Sequence, residues 1–232
     1  MGGQACVLYG AAEFSRDVDL AVVPDPANLD RLSTALDDLQ AQVIAVPPFA
    51  SEYLEDGLAV HFRCRHSDVQ GLRLDVMSRM RGVAPFPELW KRRTTMSLGD
   101  GETLDVLSLP DLVASKKTQR DKDWPMIRRL VDVSYMTGRD EATPERVVFW
   151  LSELRTPELL VEAARRWPEV VAQVRPNRPL LSLALPEHVD SGALGRALRD
   201  EEEAERLADA AYWRPLRKKL EDLRHEVRRR RS

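Results

Sequence analysis

The chain has 232 residues, 43% of them hydrophobic, which is enough to bury a core in one large domain or two small ones. The formal net charge is −3, so the composition does not indicate a nucleic-acid-binding protein, and such a role needs a local basic patch. Two isolated cysteines, no apolar run near the roughly 20 residues of a membrane span, and no leader pattern predict a cytoplasmic protein without membrane contact.

The first half of the chain alternates between short strand patterns and helix patterns. A short helix is expected over residues 4–12, a strand over 17–23, and an amphipathic helix over 26–40 that Asp25 caps. Further strand patterns cover 42–46, 58–64, 72–77 and 103–107, the last of them after a glycine turn at 99–101.

After residue 107 the pattern changes to helical periodicity interrupted by prolines. Helices are expected over about 110–119 and 123–138, and the stretch from about residue 193 predicts two charged helices joined near Pro215. The sequence therefore indicates a change from strand-rich to helical structure along the chain.

These patterns predict an α+β protein with a mixed β-sheet flanked by helices, followed by a mostly helical C-terminal region. We expect one domain over residues 1–139 and a second over 140–232.

Three aspartates fall at positions that suit a metal site. Asp17 and Asp19 are two residues apart on a strand pattern, so both carboxylates project from one face. Close carboxylates repel unless a cation neutralises them, and Mg²⁺ prefers carboxylates together with substrate phosphates. Asp75 is the one acidic residue in the pattern over 72–77. If the two strands are neighbours, Asp75 completes a two-metal site for phosphoryl transfer.

Gly2 and Gly3 stand before the helix expected over 4–12. Glycines let a backbone approach a triphosphate closely, and the N–H groups of a helix start attract phosphate. Thirteen residues then separate Gly3 from Asp17.

In this arrangement the sequence resembles the DNA polymerase β-like nucleotidyltransferase superfamily, in its minimal bacterial branch, which includes the AbiE-type toxins of toxin–antitoxin systems. The segments that carry the resemblance, within about residues 1–137, are Gly2-Gly3-Gln4-Ala5, Tyr9-Gly10, Arg16-Asp17-Val18-Asp19, Asp75, the helix from Leu109 to Lys117, and Arg120-Asp121-Lys122-Asp123. The spacing of these segments makes the resemblance more specific than any one of them.

The resemblance implies that the first domain has a nucleotidyltransferase-like mixed β-sheet, which is expected to lack the strand that normally precedes the glycine pair. It also implies Mg²⁺ as cofactor, a nucleotide triphosphate as donor, and transfer of a nucleoside monophosphate to RNA, to a protein or to a small molecule. Asp17, Asp19 and Asp75 are the implied catalytic and metal-binding residues. The implied nucleotide-binding residues are Gly2, Gly3, Arg16, Lys116, Lys117 and Asp123, with one of the two lysines contacting the triphosphate.

Structural interpretations compete with these roles. Asp75 pairs with Arg73 or Arg63 in the alternative interpretation. Lys116 and Lys117 can form a solvated helix face, Arg16 an ordinary surface charge, and Asp123 only a helix cap.

The basic end of the chain, with arginines at 228–231, also has two interpretations. It contacts an RNA acceptor, or it pairs with the acidic stretch at 200–203 in a helical hairpin. The five scattered tryptophans favour core or interface packing over base stacking.

Three functions of different class therefore remain. The first is an active nucleotidyltransferase, and the second is an inactive module on the same fold that binds a nucleotide or a partner. The third is the toxin of a pair, whose helical part engages an antitoxin partner.

Overall fold

The strand and helix patterns produce an α+β architecture, seen in a computed structural model that describes residues 1–231. The strands are β1 (Asp17–Ala21), β2 (Gln42–Val43), β3 (Val60–Arg63), β4 (Arg73–Met77), β5 (Thr94–Gly99) and β6 (Glu102–Val106). The α-helices are α1 (Gly2–Leu8), α2 (Pro26–Asp38), α3 (Ser51–Glu55), α4 (Phe86–Arg92), α5 (Leu109–Lys116), α6 (Asp123–Gly138), α7 (Pro144–Glu153), α8 (Pro157–Arg166), α9 (Pro168–Val174) and α10 (Ser191–Arg231).

The chain divides into two compact units. The first contains Met1–Lys116 together with the chain from Ala210 onward, and the second contains Lys117–Asp209. These bounds differ from the expected domains 1–139 and 140–232, and Ser232 lies outside the described residues.

The division follows from where α6 buries its apolar side chains. Trp124, Ile127 and Leu130 of this helix are buried, and its Tyr135 ring lies edge-on to the Trp150 ring of α7 at a centroid distance of 5.4 Å. A boundary at residue 139 would separate α6 from the aromatic core that it shares with α7.

The first unit is organised by a four-stranded mixed sheet in the order β1-β4-β3-β2. β1 lies parallel to β4, and β4 and β2 lie antiparallel to β3. Because side chains alternate along a strand, one face of the sheet carries the buried apolar core. That core includes Leu36, Leu54, Val60, Phe62, Cys64, Leu74 and Val76. The opposite face carries polar side chains, among them His61, Arg73 and Asp75.

Helix α2 begins as its sequence predicts. The Asp25 side chain accepts a hydrogen bond of 3.0 Å from the backbone N–H of Asn28, and Pro26 occupies the first helical position. The cap that was expected at Asp25 is therefore confirmed.

A separate hairpin of β5 and β6 turns at residues 99–101. Gly99, Asp100 and Gly101 have φ values of 95°, 48° and 81°, the left-handed region that glycine and aspartate tolerate. The expected strand at 103–107 forms as β6, but its partner β5, helix α3 and helix α4 were not expected. The residues of β5 are mostly exposed, so the strand leaves little hydrophobic alternation in the sequence.

The end of the chain is one helix, and the expectation of two helices in a hairpin was wrong. α10 runs without interruption from Ser191 to Arg231 and includes Pro215. The proline removes one backbone hydrogen bond, but the helix continues past it. In the acidic stretch, Glu201 pairs with Arg178 and Glu202 pairs with Arg206 of its own helix. Among residues 1–231, no helix combines the length and the apolar character needed to cross a membrane.

Candidate active site

The three aspartates come together on the polar face of the sheet. β1 and β4 are hydrogen-bonded neighbours, as the sequence interpretation required, and their register places Asp19 beside Asp75 and Asp17 beside Arg73. Paired residues of parallel strands point to the same side, and residues two apart share a face. Asp17 and Asp19 are partly exposed, and Asp75 is 8% exposed.

The glycine pair at the start of α1 packs directly against this face. The backbone N–H of Gly3 donates a hydrogen bond of 3.3 Å to Asp19 Oδ2. A Cβ atom on Gly2 would lie 1.7 Å from the same oxygen, and Gly2 has a φ of +65°. Only glycine suits a position that combines this backbone conformation with such close contact. The glycine pair identified in the sequence therefore packs beside Asp19.

Gly3 allows a test of this packing. A Cβ on Gly3 would lie 2.3 Å from Ser15 Oγ, so we expect Gly3→Ala to lower the thermal unfolding midpoint by a few degrees. Ser15→Gly in the same chain should recover part of the loss, giving a favourable coupling in a double-mutant cycle read by calorimetry. Additive effects of the two substitutions would contradict the proposed clash.

The surroundings of Asp19 disfavour its charged form, and a nearby cation would stabilise that form. Burial and the charge of Asp75 raise the pKa of the Asp19 carboxyl, and the Gly3 N–H and the Lys116 charge oppose this increase only in part. The α-amino group of Met1 donates a hydrogen bond of 2.9 Å to the Asp19 carbonyl. Lys116 is the candidate lysine whose charge lowers the pKa of Asp19.

Asp75 is held by two side chains. Arg73 donates from Nε to Oδ1 at 2.8 Å and from Nη2 to Oδ2 at 3.0 Å, and His61 Nδ1 lies 2.8 Å from Oδ1. Burial alone would raise the pKa of the Asp75 carboxyl, but the hydrogen bonds from His61 and Arg73 outweigh burial and lower it. The structural pairing considered for Asp75 is thus present with Arg73, whereas Arg63 donates to the Gly71 carbonyl at 3.3 Å.

The remaining expected nucleotide-binding residues are placed as follows. Arg16 is exposed in the first unit, with its guanidinium 5.9 Å from the Phe14 ring centroid. Lys117 belongs to the second unit and pairs with Glu153 at 2.7 Å. Asp123, also in the second unit, is 3% exposed and accepts hydrogen bonds from Thr118 and Arg120 at the start of α6. Lys117 and Asp123 are thus both engaged in ion pairs, and the helix cap expected at Asp123 is absent, because α6 begins at Asp123 and its N-cap residue is Lys122. Their nucleotide-binding role stays a prediction.

The residues on this face suit magnesium in part. Carboxylate oxygens are the ligands that Mg²⁺ prefers, and burial together with the charge of Asp75 raises the pKa of Asp19. Asp75 offers its oxygens to Arg73 and His61. As they stand, no three His, Cys, Asp or Glu side chains in the described part of the chain enclose a metal position. Asp17 and Asp19 share this face with Asp75, whose two oxygens are engaged by Arg73 and His61.

A cavity of about 110 Å³ opens beside Asp19. Its walls come from β1, from α4 and from the end of β6. The lining residues are Met1, Asp19, Leu20, Ala21, Phe86, Leu89, Trp90, Arg93, Asp105, Val106 and Leu107. The cavity is large enough for part of a nucleotide, and Asp19, the one of the three aspartates that lines it, shares it with the aromatic side chains of Phe86 and Trp90.

A larger cavity of about 220 Å³ lies within the second unit. The cations that line it are Lys117, Arg155 and Arg178, and each is ion-paired with Glu153 or Glu201. The smaller cavity beside Asp19 is therefore the better candidate for phosphoryl chemistry.

Sequence reasoning missed His61 and the aromatic wall. His61 stands opposite Asp75 in the β3–β4 register, a relation visible in the sequence only if the antiparallel pairing of these strands is inferred. Phe86 and Trp90 lie four residues apart on α4, the spacing that puts two side chains on one helix face.

The comparisons with known proteins find neither a family model nor a curated protein that matches the chain. The functional assignment therefore depends on the residues and geometry of this site.

Proposed function

We propose that this chain is a magnesium-dependent nucleotidyltransferase that moves a nucleoside monophosphate from a nucleotide triphosphate to an acceptor. One observation carries the proposal: Asp17, Asp19 and Asp75 share a face of two adjacent parallel strands, with a glycine pair packed against Asp19. The sequence resemblance to the polymerase β-like nucleotidyltransferases calls for this combination of residues.

Each residue has a role that follows from its position. Asp17 and Asp19 would hold Mg²⁺, which when bound neutralises the triphosphate and stabilises the charge of the transition state. The missing side chains of Gly2 and Gly3 leave room for phosphate beside Asp19. Lys116, whose charge acts on Asp19, supplies a cation toward the triphosphate.

Asp75 is the residue of this face that can take the acceptor's proton. The acceptor hydroxyl oxygen forms a bond to the α-phosphorus, the bond from that phosphorus to the pyrophosphate oxygen breaks, and the hydroxyl proton passes to a carboxylate. Arg73, which holds Asp75, must release at least one of its oxygens for this step.

The test is incubation of the purified chain with each α-labelled nucleotide triphosphate, Mg²⁺ and a cell extract. Label should appear in an acceptor and pyrophosphate should be released, both in a Mg²⁺-dependent manner. The same extract without the chain is the control. Absence of label from all four nucleotides, together with no Mg²⁺-dependent nucleotide binding, would exclude the proposed function.

A second candidate is a module on the same fold that binds a nucleotide or a partner without turnover. The observation that favours it is the Arg73 fork on Asp75, which keeps the third carboxylate engaged. Arg73→Gln separates the two candidates. If Arg73 inhibits an otherwise competent site, Arg73→Gln increases nucleotide transfer. If Arg73 belongs to a module that only binds, neither the wild type nor Arg73→Gln transfers a nucleotide.

The proposal extends to the acceptor and to an antitoxin partner. An RNA acceptor would use the basic end of α10, because phosphate contacts need local positive charge. Deleting residues 228–232 should then weaken RNA binding most at low salt and leave nucleotide binding unchanged. Equal binding and salt dependence of the shortened chain would remove this segment from acceptor recognition.

A further inference from the structure

The cavity beside Asp19 ends at three planar side chains. Phe86 and Trp90 on α4 stack with a centroid distance of 5.8 Å and an angle of 18°, and the Arg93 guanidinium carbon lies 4.1 Å from the Trp90 ring centroid. We call Phe86, Trp90 and Arg93 the planar stack. All three line the cavity that Asp19 also lines.

The planar stack is held in place by polar contacts around it. Arg93 donates to the Trp90 carbonyl at 2.8 Å, and its Nε lies 3.1 Å from Asp105. Arg92, the last residue of α4, forms a two-bond fork with the buried Asp111 at 2.7 and 3.0 Å. These contacts fix α4 and the guanidinium plane, so the stack is organised before any ligand arrives.

Trp90 is nevertheless exposed. Its relative exposure is 48%, whereas Leu89 beside it is 3% exposed. Trp90 lies at the rim of the cavity, stacks on Phe86 and contacts the Arg93 guanidinium. The three side chains together offer apolar surface and positive charge to a flat ring. Aromatic and guanidinium planes are the groups on which proteins stack nucleobases.

We propose that the planar stack binds the base of the nucleotide triphosphate, with Trp90 as the main contact. The inference rests on the proposed function, since Asp19 and Trp90 line the same cavity and would then contact different parts of one substrate. The phosphates lie at Asp19, where a magnesium ion would bind, and the base lies at Trp90. Stacking discriminates weakly among bases, so we expect purines to bind a few-fold better than pyrimidines through their larger rings.

The test compares two probes, ATP and inorganic tripolyphosphate, each titrated with Mg²⁺ against the full chain. Trp90→Ala should weaken ATP binding about tenfold, because a stacked base loses its partner, and should leave tripolyphosphate binding unchanged. Trp90→Phe keeps an aromatic face and should bind ATP within a few-fold of the wild type. ATP should also quench the fluorescence of the wild-type chain, and this quenching should disappear in Trp90→Phe but persist in the control Trp213→Phe.

The outcomes separate this inference from the proposed function. If ATP binding depends on Asp19 but is unchanged in Trp90→Ala, the base site is overturned and the proposed function is not. Equal weakening of ATP and tripolyphosphate by Trp90→Ala also overturns it, because Trp90 then supports the cavity and not the base. If ATP binding is absent or indifferent to Asp19→Asn, the proposed function fails and the base site fails with it.

Discussion

Asp19→Asn and Asp17→Asn should each lower nucleotide transfer by at least about 100-fold while the fold stays intact. A metal ion contributes several kcal/mol to a phosphoryl-transfer transition state, and each 1.4 kcal/mol is about tenfold in rate. Either substitution removes a carboxylate ligand without changing side-chain size. The measurement is the initial rate of label transfer at saturating Mg²⁺, and Asp30→Asn on the exposed surface of α2 is the matched control.

Stability gives a second readout for Asp19. Because burial and Asp75 raise the pKa of Asp19 above its unfolded value, the charged form destabilises the fold at neutral pH. Without Mg²⁺, Asp19→Asn should therefore be as stable as the wild type or slightly more stable. The difference should vanish as the pH falls below the unfolded pKa, about 4, where both states are protonated. Added Mg²⁺ should raise the melting temperature of the wild type and not that of Asp19→Asn.

Two results would remove these residues from the mechanism. One is unchanged transfer in both variants. The other is a loss of transfer in Asp30→Asn equal to that in Asp19→Asn, which would show that charge at this surface, and not ligation, controls the rate.

Local sequence pattern placed two of the three aspartates together. Asp17 and Asp19 share a face because of strand periodicity, and the apolar alternation around Asp75 marks the strand that carries it. The sequence left the pairing of these two strands as a condition. The structure meets that condition, and the paired strands bury an apolar face against α2.

One partner of Asp75 is local and the other is not. Arg73 lies two residues from Asp75 on the same face of β4, so strand periodicity alone brings them together. His61 reaches Asp75 only because β3 pairs antiparallel with β4 in one register. A shift of one residue would turn His61 to the apolar face.

Proline was the misleading signal in the second half of the chain. Pro26, Pro144 and Pro157 stand at helix starts, where a proline costs no hydrogen bond. Pro215 lies inside α10, and the helix continues past it. The rule that proline ends a helix therefore failed at one position, and with it the expected hairpin.

The second large effect is expected in the helical unit, at Arg178. This side chain is 4% exposed and makes four hydrogen bonds. Two go to the carbonyls of Leu151 and Leu154 at the end of α7, at 2.8 and 2.9 Å, and two go to the Glu201 carboxylate at 3.0 and 2.8 Å. Arg178 thus joins the end of α7 to α10 and satisfies carbonyls that α7 leaves without partners.

Arg178→Met should lower the free energy of unfolding of this unit by about 3 kcal/mol, because the buried carbonyls of Leu151 and Leu154 lose their donor and Glu201 keeps only Arg155 as a cationic partner. Arg178→Lys should fall between the wild type and Arg178→Met, since an ammonium keeps the charge and loses the fork. Denaturant unfolding followed by tryptophan fluorescence reports on the unit, which contains Trp124, Trp150 and Trp167. Arg175→Met, three residues earlier and exposed, is the control and should cost little.

The ion pair also predicts a pH dependence. Burial alone would raise the pKa of Glu201, but the hydrogen bonds and charge of Arg178, with the charge of Arg155, outweigh burial and lower it. A lowered acid pKa stabilises the fold fully above the unfolded value, about 4.3, and the contribution is lost as the pH falls through the folded pKa. Arg178→Met should lose most of this acid-side dependence. A double variant, Arg178→Met with Glu201→Met, should recover little of the stability, because the buried Arg155 then loses the carboxylate with which it pairs at 2.7 Å. If Arg178→Met unfolds at the same denaturant concentration as Arg175→Met, Arg178 does not stabilise this unit.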